Sequence, residues 1–299
     1  MKKKWLSALI IPALTLGLAA CSGDNEESNN GKSTSATSVG ESVDYKIIGI
    51  DPGAGLMKAA ASSIKEYELT DWNLVEGSGA AMTATLKKAY NKKEPIIITG
   101  WTPHWMFSKF DLKYLDDPKG VFGGEESIHT ITRVGLGDDH PSAYKFLDQF
   151  HWTADDMANV MVKITDGEDP KDAAKEWIEV NKEKVAEWTD GIQEVDGDKI
   201  TLGYVAWDSE IASTNVISAV LTELGYKVTL RQIEAGPMWA GIADGSLDAS
   251  VAAWLPITHA DYSEKFSGKF EDLGANMEGT KIGLVVPAYM DIDSIEDLK

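Results

Sequence analysis

The sequence has few of the residues and motifs that enzymatic reactions require. Its only cysteine is Cys21, so no disulfide bond can form within the chain. It has no phosphate-binding loop and no nucleophile elbow, and its histidines do not have the spacing of a metal site. The five histidines are at positions 104, 129, 140, 151 and 259. These absences argue against an enzyme and predict that the protein binds no metal and no cofactor.

Positive charge is also scarce. Lysine and arginine together number 28 against 48 aspartates and glutamates, which gives a formal net charge of -20. Such a surface repels phosphate backbones and excludes nucleic acid as a partner. The composition, 43% hydrophobic and 25% charged, is ordinary for a globular protein, and 299 residues are enough for two α/β lobes.

Long apolar runs are confined to the N-terminus. Three lysines at positions 2–4 precede a mostly apolar stretch over residues 6–18, which is too short to cross a membrane, and no later segment approaches ~18 apolar residues. Leu18-Ala19-Ala20 then precede Cys21. This pattern predicts a signal peptide over residues 1–20 and a lipidated Cys21 that anchors the protein to the extracellular face of the cell membrane. The alternative is a plain signal peptide followed by a chance cysteine.

A polar segment follows this cysteine. Residues 22–43 consist mainly of Ser, Asn, Gly, Glu and Thr, with almost no apolar side chains. This composition predicts a flexible tether over residues 21–43, with ordered structure beginning at Tyr45.

Two later regions repeat one order of elements. Their strands are predicted at residues 46–50, 73–75, 95–99, 200–206, 227–233 and 250–253. Their helices are predicted at residues 56–67, 80–90, 210–224 and 237–243. Each region is a βαβαβ unit whose strands are nearly continuous Ile and Val, as a parallel sheet covered on both faces requires. The predicted fold class is α/β, with two βαβ lobes and a ligand cleft between them.

The remaining segments complete these lobes. Helices are predicted at residues 141–150, 153–164 and 170–188, with a capping box at Thr153 and Asp156. A strand at residues 283–287 and a helix start at Ser294 are expected to return to the first lobe. We place lobe I at residues 44–128 plus 280–299 and lobe II at residues 129–279. The acidic pairs at residues 116–117 and 125–126 are expected to be solvated loop residues.

Three of the ten tryptophans, Trp101, Trp207 and Trp254, lie at the ends of predicted strands. We call them the tryptophan trio. Open α/β sheets bind ligands beyond the carboxyl ends of their strands, and closure of the lobes would bring the trio together. Because tryptophan has the strongest cation–π face, the trio predicts a site for an organic cation. The alternative is that these tryptophans pack in the core. Packing is the better interpretation for four other tryptophans, and for two more both roles stay open. The four are Trp72, Trp152, Trp177 and Trp188, and the two are Trp105 and Trp239.

The first strand leads into a turn that could hold an anion. Residues 51–57 are Asp-Pro-Gly-Ala-Gly-Leu-Met, and the helix that follows would present unpaired backbone N–H groups. Such turns are common, so this signal alone does not identify a ligand. His259, five residues after Trp254, is a candidate additional donor, with a purely structural role as the alternative.

Four segments, at residues 47–53, 98–106, 204–213 and 253–259, resemble the glycine-betaine-binding lipoproteins of Gram-positive ABC importers. The resemblance extends from about residue 45 to the end and implies the type II periplasmic-binding-protein fold. It also implies that the tryptophan trio forms a cage around a trimethylammonium group. The ligand's carboxylate would then bind the backbone N–H groups of Gly55 and Leu56 and the side chain of His259.

The resemblance implies a function as well. The protein would capture glycine betaine, and also proline betaine, and deliver it to an ABC permease and its ATPase for osmoprotectant uptake. Two alternatives stay open: a choline- or carnitine-type binding protein, and a ligand-sensing surface receptor. Relatives that bind choline or carnitine often have a tyrosine-rich cage, whereas this chain has tryptophan at the three positions.

Overall fold

The computed structural model describes residues 38–299, which form one compact body. The predicted signal peptide, Cys21 and most of the predicted tether lie outside the described residues. Helix α1 (Val39–Ser42) begins with a capping box formed by Ser38 and Glu41. The prediction that order begins at Tyr45 is therefore wrong, because Ser-x-x-Glu is itself a helix start signal and Val39 packs against the core. Among residues 38–299, no helix is both long and apolar enough to span a bilayer.

The strands within the described residues form a single sheet. They are β1 (Lys46–Ile48), β2 (Asn73–Val75), β3 (Ile97–Thr102), β4 (Leu112–Tyr114), β5 (Glu126–Arg133), β6 (Lys199–Tyr204), β7 (Lys227–Gln232), β8 (Ala249–Leu255) and β9 (Phe270–Pro287). Their order is β2-β1-β3-β9-β5-β8-β6-β7, and β4 also pairs with β9.

Helices connect these strands and cover the sheet. After α1 they are α2 (Gly55–Glu66), α3 (Gly79–Lys92), α4 (Met106–Lys109), α5 (Leu136–Asp139), α6 (Pro141–Gln149), α7 (Ala154–Thr165), α8 (Pro170–Val180), α9 (Lys182–Trp188), α10 (Asp208–Glu223), α11 (Ala235–Asp244) and α12 (Ala260–Lys265). A 3₁₀ turn at Ile295–Leu298 follows β9 and begins with a capping box at Ser294.

The sheet is built from two similar units. In the first unit β1 lies between β2 and β3, all parallel, and in the second β6 lies in the same way between β7 and β8. Strand β9 joins them: residues 281–287 pair with β3 and β4, and residues 270–280 pair with β5. We define the first unit as β1–β4 with the end of β9, and the second as β5–β8 with its beginning. The predicted α/β class with two βαβ units is confirmed.

The change of partner along β9 falls between Thr280, which pairs with Glu126, and Lys281, which pairs with Thr102. The predicted lobe boundaries at residues 128 and 280 lie close to this point. The division of the chain into these two lobes stays a prediction. The predicted helix at 170–188 is instead two helices separated by Asn181, whose amide donates to the carbonyl of Trp177 at 2.8 Å. Asparagine favours helix ends because its side chain competes for backbone groups.

The four tryptophans for which core packing is predicted, Trp72, Trp152, Trp177 and Trp188, lie in the core. Trp177 and Trp188 stack with ring centroids 5.7 Å apart, and Trp152 meets Trp177 edge to face at 5.9 Å. Trp72 is buried in the first unit and donates to the carbonyl of Leu298 at 3.0 Å. The structural role predicted for these four residues is confirmed.

Candidate ligand-binding site

A small, partly open cavity lies between the two units. The tryptophan trio borders it, together with residues from both units. The other lining residues are Ile50, Ala54, Leu56 and Ile282 from the first unit and Thr258 from the second. Apart from Thr258, every lining side chain is apolar or aromatic, so the cavity is suited to a ligand with an apolar surface.

The strands bring the tryptophan trio to this cavity. Trp101 lies near the end of β3 opposite Ile282, Trp254 near the end of β8 opposite Ile128, and Trp207 directly before α10. All three are almost fully buried, at 3–5% exposure. Among residues 38–299, none of the aromatic ring pairs joins two members of the trio. Their indoles therefore border the cavity rather than pack on one another.

Polar contacts join the two units around this cavity. The indole Nε1 of Trp207 donates to Asp51 Oδ1 at 2.7 Å, and His104 Nε2 lies 3.2 Å from Asp208 Oδ2. Tyr262 Oη donates to the carbonyl of Gly53 at 3.0 Å. The first and second units are thus in direct contact around the cavity, and we call this the closed arrangement.

The start of α2 presents unpaired donors at one end of the cavity. Its N-cap, Ala54, provides no side-chain cap. Within the described part of the chain, neither the Gly55 nor the Leu56 N–H donates to a protein acceptor. The first N–H groups of a helix carry partial positive charge, so this end of the cavity favours an anion.

His259 contributes a further donor. Its ring is fully buried and stacks on Trp207 with centroids 6.0 Å apart. Nδ1 accepts the backbone N–H of Trp254 at 3.1 Å, so in the neutral ring the proton is on Nε2. Burial lowers the pKa of His259 to about 3, which keeps the ring neutral. Among residues 38–299 Nε2 has no partner. His259 is not itself a lining residue, but Trp207 and Thr258, which it contacts or follows, border the cavity.

Glu126, from one of the two acidic pairs, supports the site, and the expectation of a solvated loop residue is wrong for it. It is not a solvated loop residue but lies buried at the start of β5. Its carboxylate accepts the N–H groups of Ile257 at 3.2 Å and Thr258 at 2.9 Å, and the Thr258 hydroxyl as well. Burial raises the pKa of Glu126, although these hydrogen bonds act to lower it. Glu126 thereby fixes the loop that leads into His259.

Asp117, from the other acidic pair, is engaged as well. It accepts the hydroxyl of Tyr67 at 2.5 Å and the N–H of Phe122 at 2.7 Å. The expectation of a solvated loop residue is wrong here too, because two donors from the first unit converge on this carboxylate.

Glu210 is a further engaged carboxyl group, and the sequence did not reveal it. It is 1% exposed and accepts the N–H of Val205 at 2.8 Å. Burial, with repulsion from Asp51, raises the pKa of Glu210 well above its ordinary value. Its hydrogen bond closes the turn over residues 205–210, which carries Trp207.

The two tryptophans left open by the sequence support the site from behind. Trp105 packs against His104, with centroids 5.3 Å apart, and Trp239 meets His259 edge to face at 5.8 Å. Neither side chain is among the lining residues of the cavity. Both pack against histidines next to the site.

Comparison with known proteins identifies the family. The family described as "Substrate binding domain of ABC-type glycine betaine transport system" matches residues 26–180 and 198–299. The "Glycine betaine/carnitine transport binding protein GbuC" of Listeria monocytogenes serotype 1/2a (strain 10403S) is 55% identical over 302 residues, covering 100% of this chain and 99% of the relative.

Solved structures show partial similarity. Lactococcal OpuAC, in a closed conformation complexed with glycine betaine, is 49% identical over 49% of this chain and 58% of that chain, with a TM-score of 0.48. An ABC-transporter choline binding protein in complex with choline is 27% identical over 62% of this chain and 61% of that chain, with a TM-score of 0.47. The family match and the full-length relative establish the assignment. The chain belongs to the family of substrate-binding domains of ABC-type glycine betaine transport systems, whose role is to bind a solute and not to catalyse a reaction.

Proposed function

We propose that this protein captures glycine betaine outside the cytoplasm and delivers it to an ABC permease and its ATPase for osmoprotectant uptake. The observation that carries the proposal is the pairing, around a single cavity, of three tryptophans with unpaired N–H donors. Glycine betaine has a quaternary ammonium group at one end and a carboxylate at the other. The cavity offers a chemically matched surface to each.

The ammonium end is assigned to the tryptophan trio. A trimethylammonium group cannot donate hydrogen bonds, so it is best held by aromatic faces. Trp101 and Trp254 approach from the ends of β3 and β8, and Trp207 from the start of α10. Because all three are buried, each contact is desolvated and contributes about 2 kcal/mol.

The carboxylate end is assigned to Gly55, Leu56 and His259. The two backbone N–H groups lie at a helix start, where the helix dipole favours negative charge. Nε2 of His259 is the third donor, and all three lack protein acceptors among residues 38–299. Hydrogen bonds to a charged group contribute about 1.5–3 kcal/mol each.

These contributions are sufficient for useful affinity. Loss of ligand freedom and ordering at the site cost about 4 kcal/mol or more. The balance lies near the ~8 kcal/mol of a micromolar complex.

Calorimetric titration of the purified protein with glycine betaine, proline betaine, carnitine and choline tests the assignment. We expect saturable binding of glycine betaine and of proline betaine, whose quaternary nitrogen and carboxylate are both retained. Absence of glycine betaine binding would overturn the proposal.

Carnitine is a second candidate ligand, since the 55% identical relative is a glycine betaine/carnitine binding protein. Carnitine also combines a quaternary ammonium group with a carboxylate, at a greater separation. The cavity is small and is bordered by buried side chains, which favours the shorter molecule. We therefore expect carnitine to bind more weakly than glycine betaine in the same titration.

The proposal includes attachment to the membrane. The sequence Leu18-Ala19-Ala20-Cys21 supports cleavage of residues 1–20 and lipidation of Cys21, with the polar residues after it as a tether. The protein would then be held on the extracellular face of the cell membrane beside its permease.

A further inference from the structure

One member of the tryptophan trio is held by the opposite unit. Trp207 belongs to the second unit, and its indole Nε1 donates to Oδ1 of Asp51, in the first unit, at 2.7 Å. The indole Nε1 atoms of Trp101 and Trp254 are buried and have no partner among residues 38–299. The trio is therefore asymmetric, and a single indole depends on a contact between units.

The residues around this contact fix both partners. Asp51 directly follows Ile50, which lines the cavity, and the N–H of Ala54 donates to the Asp51 carbonyl at 3.1 Å. On the other side, Glu210 closes the turn that carries Trp207 by accepting the N–H of Val205. Trp207 is thus held by its own unit through the backbone and by the first unit through its side chain.

This arrangement makes the orientation of one indole depend on contact between the units. If the units separate, Trp207 keeps its backbone position but loses the acceptor that fixes its ring. A carboxylate that accepts the indole N–H also polarises the ring toward negative charge, which strengthens its attraction for a cation. Both effects depend on the hydrogen bond between Trp207 and Asp51, which joins the two units.

We infer that Asp51 is a positioning residue of the ligand site, which orients and polarises Trp207 only when the two units meet, so that the tryptophan trio is complete in the closed arrangement alone. The inference rests on the proposed function. It explains why binding of the cation would favour closure of the two units. When the units meet, Asp51 orients the indole of Trp207, and the cation then contacts all three tryptophans. No contact between the ligand and Asp51 is required.

A double-mutant cycle tests the inference. Asp51→Ala should weaken glycine betaine binding about tenfold in the otherwise unchanged protein. Trp207→Phe keeps an aromatic face but removes the N–H, so in that background Asp51→Ala should change affinity less than about twofold. Trp254→Phe is the matched control background: the Trp254 N–H has no partner among the described residues, so Asp51→Ala should keep its tenfold effect there.

Asp51→Asn separates orientation from charge. The amide oxygen still accepts the indole N–H, so affinity should lie between that of the unchanged protein and that of Asp51→Ala. If Asp51→Ala fails to fold, as judged by circular dichroism, the same cycle is run with Asp51→Asn.

A direct readout is the nuclear magnetic resonance signal of the Trp207 indole N–H, which is assigned by its loss in Trp207→Phe. We expect it to be protected from solvent exchange with glycine betaine bound, and unprotected in Asp51→Ala.

Two results would overturn the inference: equal losses from Asp51→Ala in the Trp207→Phe and Trp254→Phe backgrounds, or a Trp207 N–H that is equally protected with and without ligand. Failure of the proposed function would look different. In that case the unchanged protein would show no glycine betaine binding by calorimetry, whatever residue occupies position 51.

Discussion

Gly55 lies directly against the backbone of Thr258 in the opposite unit. A Cβ added at Gly55 would lie 1.8 Å from the Thr258 carbonyl oxygen, far inside any permitted contact. Gly55 does not have a positive φ, so close approach and not backbone conformation requires glycine here. Thr258 is in turn held by Glu126, which prevents its loop from moving aside at low cost.

Gly55→Ala should therefore weaken glycine betaine binding by tenfold or more, because the added methyl group keeps the two units from meeting. Gly53→Ala is the matched control, since a Cβ there would meet nothing within 4 Å. Calorimetry with both variants makes the measurement. Similar affinities of Gly55→Ala and Gly53→Ala would show that closure does not depend on this contact.

Replacement of the tryptophan trio has a graded effect. Trp101→Ala, Trp207→Ala and Trp254→Ala should each reduce the binding free energy by about 1–3 kcal/mol, from lost cation–π attraction and packing area. Phenylalanine or tyrosine at the same positions should cost less, because an aromatic face remains. Trp188→Ala is the control: it removes a core side chain stacked on Trp177, so it should lower stability without changing affinity in the folded fraction. Unchanged affinity in all three alanine variants would rule out the cage.

Acid should destabilise the protein through His259. Its pKa is about 3 in the folded protein against 6.5 for an unperturbed histidine, because burial disfavours the charged ring. As pH falls below about 6.5, His259 binds a proton in the unfolded chain but not in the folded chain. The free energy of unfolding therefore falls progressively from about pH 6.5 down to about 3. We expect thermal unfolding midpoints to fall more steeply over this range in the unchanged protein than in His259→Gln. Parallel curves would contradict the assignment of a neutral buried His259.

Lipid attachment depends on a single residue. Cys21→Ala should release the protein from membranes and leave its affinity for glycine betaine unchanged, because the residues that line the cavity all lie between positions 50 and 282. Fractionation followed by titration of the released protein makes the comparison. Membrane retention of the variant would contradict the anchor.

The sequence predicted the parts of the site that local pattern controls. Predicted strands ended at Trp101 and Trp254, and parallel strands place their ends at a common edge of the sheet, so the convergence of the trio could be inferred. In the same way, the Gly-containing turn before α2 indicated unpaired N–H groups.

Other features depend on contacts that no local pattern reports. Glu126 is buried because residues 131 positions away, at Ile257, fold onto it. Strand β5 was missed because its register against β9 shifts repeatedly, which breaks the alternation expected of an antiparallel strand. Asp51 contacts Trp207 only because the two units meet, and Glu210 is set apart by its burial. The residues next to them in the sequence indicate neither feature.

Selectivity between betaine and choline should be decided at the carboxylate end. The tryptophan trio meets only a trimethylammonium group, which both molecules share, so it cannot separate them. Gly55, Leu56 and the Nε2 of His259 present three donors that a carboxylate satisfies and a neutral hydroxyl does not. A buried donor left without a partner costs about 1–3 kcal/mol, so choline should bind at least about tenfold more weakly than glycine betaine.

Removing one donor should narrow that difference. His259→Ala should lower the affinity for glycine betaine, which uses the Nε2 donor fully, more than the affinity for choline. Because His259 stays neutral down to about pH 3, the donor is the same N–H throughout the range near neutrality, and the preference should not change between about pH 6 and 8. Titration of the unchanged protein and His259→Ala with both ligands in one buffer gives the four affinities required. Equal affinity of the unchanged protein for choline and glycine betaine would show that these three donors do not form the carboxylate site.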